Sequence, residues 1–267
     1  MTLSTWTIRL GWLALLGVAA GILVPAVQRV REAAARSKCH CHLKCLSCAL
    51  YARQDCYGPS PGTVPLPLVP VDRRLSWVVD ALPFMEQGPA YKLFDPTVAA
   101  DAGPNRAAAE ARLPHLVCPS SGKSPTPVTH YVGIAGVGTD AADLPGKHPR
   151  AGAFGYDRKT ALNALTFADG TSNTLLLVET AHEPGHWAVG GPATVRPFIP
   201  GAGPYIGAGR PFGGYHPGDA GLLPVRGGLV TVAMADASIR TIRGDIAPAV
   251  LEALATAAGQ EPLPAEW

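Results

Sequence analysis

Charge is scarce along this chain. Asp, Glu, Lys and Arg make up 16% of its 267 residues and nearly cancel, leaving a formal net charge of +2. That balance supplies no general field for nucleic acid or an anionic surface. Signatures of catalysis are equally thin. There is no glycine-rich phosphate loop, no Gly-x-Ser-x-Gly elbow and no separated carboxylate pair, and Ala49 follows Cys48 where a haem attachment site needs histidine. Neither catalytic residues nor a cofactor are expected. The six cysteines, five of them between Cys39 and Cys56, are too few and too clustered for a disulfide scaffold of this size.

What the chain has is a long apolar run. Leu10 to Val27 carries no charge and is about the length a helix needs to cross a hydrocarbon core, at the short end of the range. It passes without a break into Gln28–Lys38, rich in strong helix formers, and then into Cys39–Ala52. The pattern predicts one helix, half in lipid and half amphipathic. Three segments follow: a tail over 1–9, a spine helix over 10–57 and a β-rich head over 58–267. A cleaved signal peptide would place small residues close behind a shorter apolar core. Here Ala33–Ala35 lies beyond Arg29, Arg31 and Glu32, so an uncleaved anchor over 10–27 is expected. Arg29, Arg31, Arg36 and Lys38 outnumber Arg9 across the run, which taken alone puts the head in the cytoplasm.

Along the second half of the spine, Leu43, Leu46 and Leu50 are read as sharing one side with Cys41, Cys45 and Cys48. Tyr57–Gly62 ends the helix. Leu75 to Phe94 predicts a second helix kinked or restarted at Pro83, and Ala107 to Arg112 a short helical turn. Strands are expected at Thr129–Ala135 and Leu175–Glu179, with a hairpin of Leu229–Asp236 and Ser238–Ile242 turning at Asp236-Ala237. Ala181 to Val225 is expected to lack secondary structure. Ile246 to Ala258 predicts a last helix, with Pro248 in its first turn. One long helix followed by mostly antiparallel strands makes an α+β fold.

The order of several motifs resembles a known family. Leu23-Val-Pro-Ala-Val-Gln28 with Arg31-Glu-Ala-Ala34, Cys39 and Leu43-Lys44 opens it. Ser76-Trp77, Leu82-Pro-Phe-Met-Glu-Gln87, Cys118-Pro-Ser120, His130-Tyr-Val-Gly133, Asp169-Gly-Thr-Ser-Asn-Thr174 leading to Glu179, and Leu254–Gly259 follow. This order is similar to the prepilin-type family of unknown function abundant in planctomycete bacteria, also catalogued with solute-binding proteins. The resemblance implies a pilin-like fold, a long N-terminal helix whose second half packs on an antiparallel sheet, with the head outside the cytoplasmic membrane. That implication is weighed above the positive-inside count. It does not extend to peptidase processing or ordinary fibre polymerisation, because Ile8 stands where the family carries a glutamate and the processing glycine is missing. The family's histidine ten positions before an Asp-Gly is also unmatched: Arg226 and Ala237 occupy those places, and His216 falls too early.

Four constellations bear on chemistry. His182-Glu-Pro-Gly-His186 spells a zinc-protease motif, but Pro184-Gly185 cannot hold the helix that brings both imidazoles to one face, so a plain loop is expected. The Cys39–Cys56 cluster reads first as small apolar residues packed on the sheet. A disulfide involving Cys118, Cys39 or Cys56, or metal or redox chemistry, are the alternatives, and no metal ligands are assigned. Asp169–Asn173 reads as a capped turn; a ligand site from Asp169, Asn173 and Glu179 is the functional option. Trp187, with Phe198, Tyr205, Phe212 and Tyr215, would give the 181–225 loop an aromatic face for a glycan or solute. The expected function is that of a membrane-anchored envelope protein, partnered by the membrane and by pilin-like subunits or extracellular polymer, with no nucleic acid.

Overall fold

A single 53-residue helix, α1 (Thr5–Tyr57), runs the length of the computed structural model and carries Pro25 without interruption. The structure describes residues 5–59, 61–122, 126–163, 167–216, 227–265 and 267, the side chains of 5–8 and 10 excepted. Helix α1 thus reaches back to Thr5, into the segment read as a tail. Proline removes one ladder bond and crowds the preceding turn, a defect that helices of apolar runs commonly absorb. Around it the helix is bare: Trp12, Leu16 and Ile22 are 63%, 63% and 67% exposed.

From Cys39 onward one face of α1 disappears into the head. Cys39, Leu43, Leu46 and Leu50, spaced four, three and four apart, are all buried. At about 100° per residue these positions fall within roughly 60° of one another on the helix. The same arithmetic puts Cys41, Cys45 and Cys48 on the opposite side, and all three are exposed. The expected cysteine stripe against the sheet is therefore wrong, and the leucines pack without it.

The expected helix over Leu75–Phe94 is broken into pieces. Ser76 caps α2 (Trp77–Ala81), its hydroxyl accepting from the Val78 N–H at 3.2 Å. Pro83 then tightens the chain into a 3₁₀ turn, Glu86 ends it in the left-handed region (φ 61°), and Pro89 helps open α3 (Gly88–Tyr91). Helix α4 (Gly103–Ala109) lies slightly ahead of its expected place.

Five strands follow in the spatial order β3-β1-β2-β4-β5: β1 (Tyr131–Val137), β2 (Leu175–Glu179), β3 (Val195–Phe198), β4 (Leu229–Met234) and β5 (Ile239–Arg243). All neighbours are antiparallel except β1 and β3, which run parallel. Strand β3 corrects the reading of 181–225 as structureless. Its four residues, Val-Arg-Pro-Phe, are too short and too interrupted by proline for an alternation signal, and its edge position is where a strand proline is tolerated. Helix α5 (Pro248–Ala255) closes the fold.

Alternation along the strands divides the interior into two cores. Tyr131, Ala135, Leu177, Ala233 and Ala235 face the first, shared with Leu43, Leu46, Leu50, Trp77 and Trp187. Val132, Ile134, Val178, Val230, Val232 and Met234 face the second, with Phe198, Tyr205, Phe212, Leu251 and Leu254. Gly133 and the alanines keep the first face thin; a Cβ on Gly133 would stand 2.6 Å from the Phe154 ring. Polar ties fix α1 to the hairpin. Lys44 Nζ donates to the Ala237 carbonyl at 2.9 Å, the Tyr51 hydroxyl donates to the Ala235 carbonyl, and His40 Nε2 lies 3.0 Å from Thr241 Oγ1.

Candidate functional site

Where α1 leaves the head, four side chains from four separate segments converge. Cys39 comes from the first buried turn of α1, Cys118 from the entrance to a 3₁₀ turn at Pro119–Ser121, and Glu179 from the last position of β2. His216 pairs with Leu229 in an isolated bridge beside β4. All four are buried. The two sulfurs are 3.2 Å apart. Cys39 Sγ lies 3.6 Å from Glu179 Oε1, and His216 Nε2 lies 3.4 Å from Cys39 Sγ, 3.5 Å from Cys118 Sγ and 3.3 Å from Glu179 Oε1.

A surrounding layer orients them. His216 Nδ1 meets Glu32 Oε1 at 2.5 Å, and Ser120 Oγ donates to the other Glu32 oxygen at 3.0 Å. The Cys118 backbone N–H donates to His130 Nδ1 at 2.9 Å, while His130 Nε2 contacts the Tyr215 hydroxyl at 3.1 Å. Tyr131 holds His42 Nδ1 at 3.2 Å. Each of these positions has a local cause. His130, just before β1, and Tyr131, its first residue, point to opposite sides as neighbours in extended chain do, and Pro119 turns the chain so that Cys118 and Ser120 both face the helix.

The electrostatics are those of a crowded, buried cluster. The sulfur–sulfur hydrogen bond, reinforced by His216, holds the Cys39 thiol down at about 7 and pushes Cys118 up. Burial works against an imidazolium at His216, but hydrogen bonds to Cys39 and Glu179, with the Glu179 and Glu32 carboxylates on either side, raise it to about 10. Burial also opposes the Glu179 carboxylate, yet its contacts with His216 keep it ionised. His130 is pushed down to about 4 by burial and is neutral. The second Glu179 oxygen, Oε2, is buried with no hydrogen-bond partner.

Sequence reasoning had these residues in hand without joining them. Glu179 was grouped with Asp169 and Asn173, but those two sit before β2 and Glu179 at its far end, roughly 13 Å along the strand. Asp169 instead accepts from the Gly259 and Gln260 N–H groups at 2.9 and 2.7 Å, and Asn173 donates back to the Asp169 carbonyl at 3.2 Å, so the pair is a structural turn. His216 was set aside as too early. Its bridge to Leu229 sets it beside the start of β4; residues 217–226, Arg226 among them, lie outside the described residues.

The aromatic face is also corrected. Trp187, Phe198, Tyr205 and Phe212 are buried, Trp187 donating through Nε1 to the Ala111 carbonyl at 2.9 Å. Large aromatics under Gly- and Pro-rich loops are core plugs here. His182 and His186 lie in irregular chain, and His186 Nδ1 accepts from the Ala188 N–H at 3.2 Å.

Fold and site together define a stalked α+β protein whose long N-terminal helix is bare and apolar in its first half and packed on a sheet in its second. The chain belongs to the family described as "Protein of unknown function (DUF1559)", which it matches over residues 28–249, a span that includes every residue of the site. No curated protein and no solved structure matches it. Glu32, Cys39, Cys118, Ser120, His130, Tyr131 and Glu179, scattered among the motifs that carry the family resemblance, all meet at this one place.

Proposed function

We propose that this is a membrane-anchored, pilin-like envelope or surface protein with a structural or assembly role and no catalysis, its head periplasmic or at the cell surface. The carrying observation is the bare apolar half of α1, long and apolar enough to cross a membrane, continuing as one rod into the helix that forms the wall of the head's core. Such a rod transmits position from the bilayer to the head. The polar cluster is fully buried among the described residues, which favours a structural role. With Trp187, Phe198, Tyr205 and Phe212 taken up by the core and Tyr215 half-buried, the glycan-binding reading loses most of its basis.

Cell fractionation with protease shaving tests this. The protein is expected in the membrane fraction, released by detergent but not by salt, with its head cleaved by protease added outside the cytoplasmic membrane. Intact protein in the soluble cytosolic fraction overturns the proposal.

A further inference from the structure

We propose that Cys39, Cys118, Glu179 and His216 form a structural zinc site that stitches the stalk helix to the head at the neck of the molecule. Zinc takes two thiolates, an imidazole and a carboxylate in tetrahedral array, at about 2.3 Å from sulfur, about 2.1 Å from nitrogen and about 2.0 Å from oxygen. Those lengths imply edges of about 3.6 Å between sulfur and nitrogen, about 3.5 Å between sulfur and oxygen, and about 3.4 Å between nitrogen and oxygen. The corresponding distances here are 3.4 and 3.5 Å, 3.6 Å, and 3.3 Å. The sulfur–sulfur edge, 3.2 Å, falls short of the tetrahedral value of about 3.8 Å and needs the two side chains to part by roughly half an ångström; the sixth edge, from Cys118 Sγ to the Glu179 carboxylate, lies within 4.8 Å.

Three further features fit a metal better than a disulfide. A disulfide would bring the sulfurs to about 2.05 Å and leave the buried Glu179 carboxylate and His216 imidazole facing only each other across the site. Glu32 on His216 Nδ1, itself held by Ser120, is the carboxylate–histidine arrangement that fixes the tautomer presenting Nε2 to a metal. The unpartnered Glu179 Oε2 leaves that carboxylate free to share a cation between both oxygens. On binding, protons leave the two thiols and His216 Nε2, while Nδ1–H stays on Glu32.

The donor set and its burial give the site its role. Soft thiolates with imidazole select zinc over magnesium or calcium, and four protein ligands in a closed pocket leave no position for a reacting water. The ligands span α1, the Cys118 turn, the end of β2 and the segment before β4. Residues of α1 become buried at Cys39 itself, so a metal there locks the helix where a pull on the anchor would first peel it away.

The test uses the full chain in detergent. Cys41, Cys45, Cys48 and Cys56 are exposed, and replacing all four by Ala leaves Cys39 and Cys118 as the only thiols. This variant and the wild-type chain are each expected to carry one zinc. After exchange for Co(II), both should show tetrahedral ligand-field bands with thiolate-to-cobalt charge transfer. Cys118→Ser should abolish both signals, and Glu32→Gln should weaken zinc affinity about 10- to 100-fold. Chelation should lower the melting temperature of the wild-type head. Metal-free protein with a Cys39–Cys118 disulfide, loss of the cobalt signal in the four-cysteine variant, or full zinc retention in Cys118→Ser would each overturn the proposal. The envelope assignment stands or falls separately, since fractionation does not depend on metal.

Discussion

Residues 11–30 and 39–50 belong to one helix, unbroken apart from the ladder bond that Pro25 cannot make, yet they live in opposite surroundings. In the first stretch Trp12, Leu13, Leu16 and Ile22 are exposed; in the second Leu43 and Leu46 are completely buried. Helix formation was the same problem in both, helped in each by Leu and Ala. What differs is the distribution around the axis. The first half is apolar on every side, which suits a solvent that is itself apolar. The second is apolar on the Cys39–Leu43–Leu46–Leu50 side and carries Lys44, Cys45 and Cys48 on the other, which suits a sheet on one side and water opposite.

The comparison can be broken most forcefully from the packed half. Leu46→Ala is expected to destabilise the head by about 2–5 kcal/mol, because the neighbouring sheet cannot collapse into the cavity. Leu16→Ala should leave the denaturant midpoint of the head within error. Equal losses at both positions would mean the two halves share an environment. Leu16→Arg reverses the pattern. It should raise the cost of placing the helix centre in a bilayer by about 2.5–3.5 kcal/mol and shift protein out of the membrane fraction, with the head's melting temperature unchanged.

Smaller changes sharpen the boundary. Ala237 holds a left-handed φ of 61° in the β4–β5 turn, under the Lys44 contact, where the family resemblance expects glycine. Ala237→Gly should therefore stabilise the head by about 0.5–1 kcal/mol, read by thermal unfolding. Cys45→Ser, on the exposed side of the packed half, should change stability by no more than about 0.5 kcal/mol. A loss of several times that amount would mean another surface covers this side.

Much of the fold was legible because its signals are local. β2 follows its expected bounds, Leu175–Glu179, since a run of Leu-Leu-Leu-Val between a capped turn and a loop has few alternatives. The β4–β5 hairpin was legible from alternation around Asp236-Ala237, where the Ser238 N–H donates to Asp236 Oδ1 at 2.8 Å. The Leu75–Phe94 helix failed because Ser76, Pro83 and Pro89 each impose a boundary that apolar spacing ignores. The aromatics of 181–225 misled because burial of a loop side chain depends on what lies beneath it. His216 was missed because its partners lie on other segments, and only the bridge to Leu229 brings it to them.

The sequence by itself determined the apolar rod and the α+β class, which rest on composition and periodicity within a few turns or strands, and the family, which rests on the order of its motifs along the chain. Only the tertiary structure decided which face of the rod is buried and that Cys39 meets Cys118, Glu179 and His216, partners 79, 140 and 177 positions away. The reason is physical. Periodicity records which residues avoid water, but the sheet's register and the exit angle of the helix choose which of them share a point in space, and neither is written in any one segment.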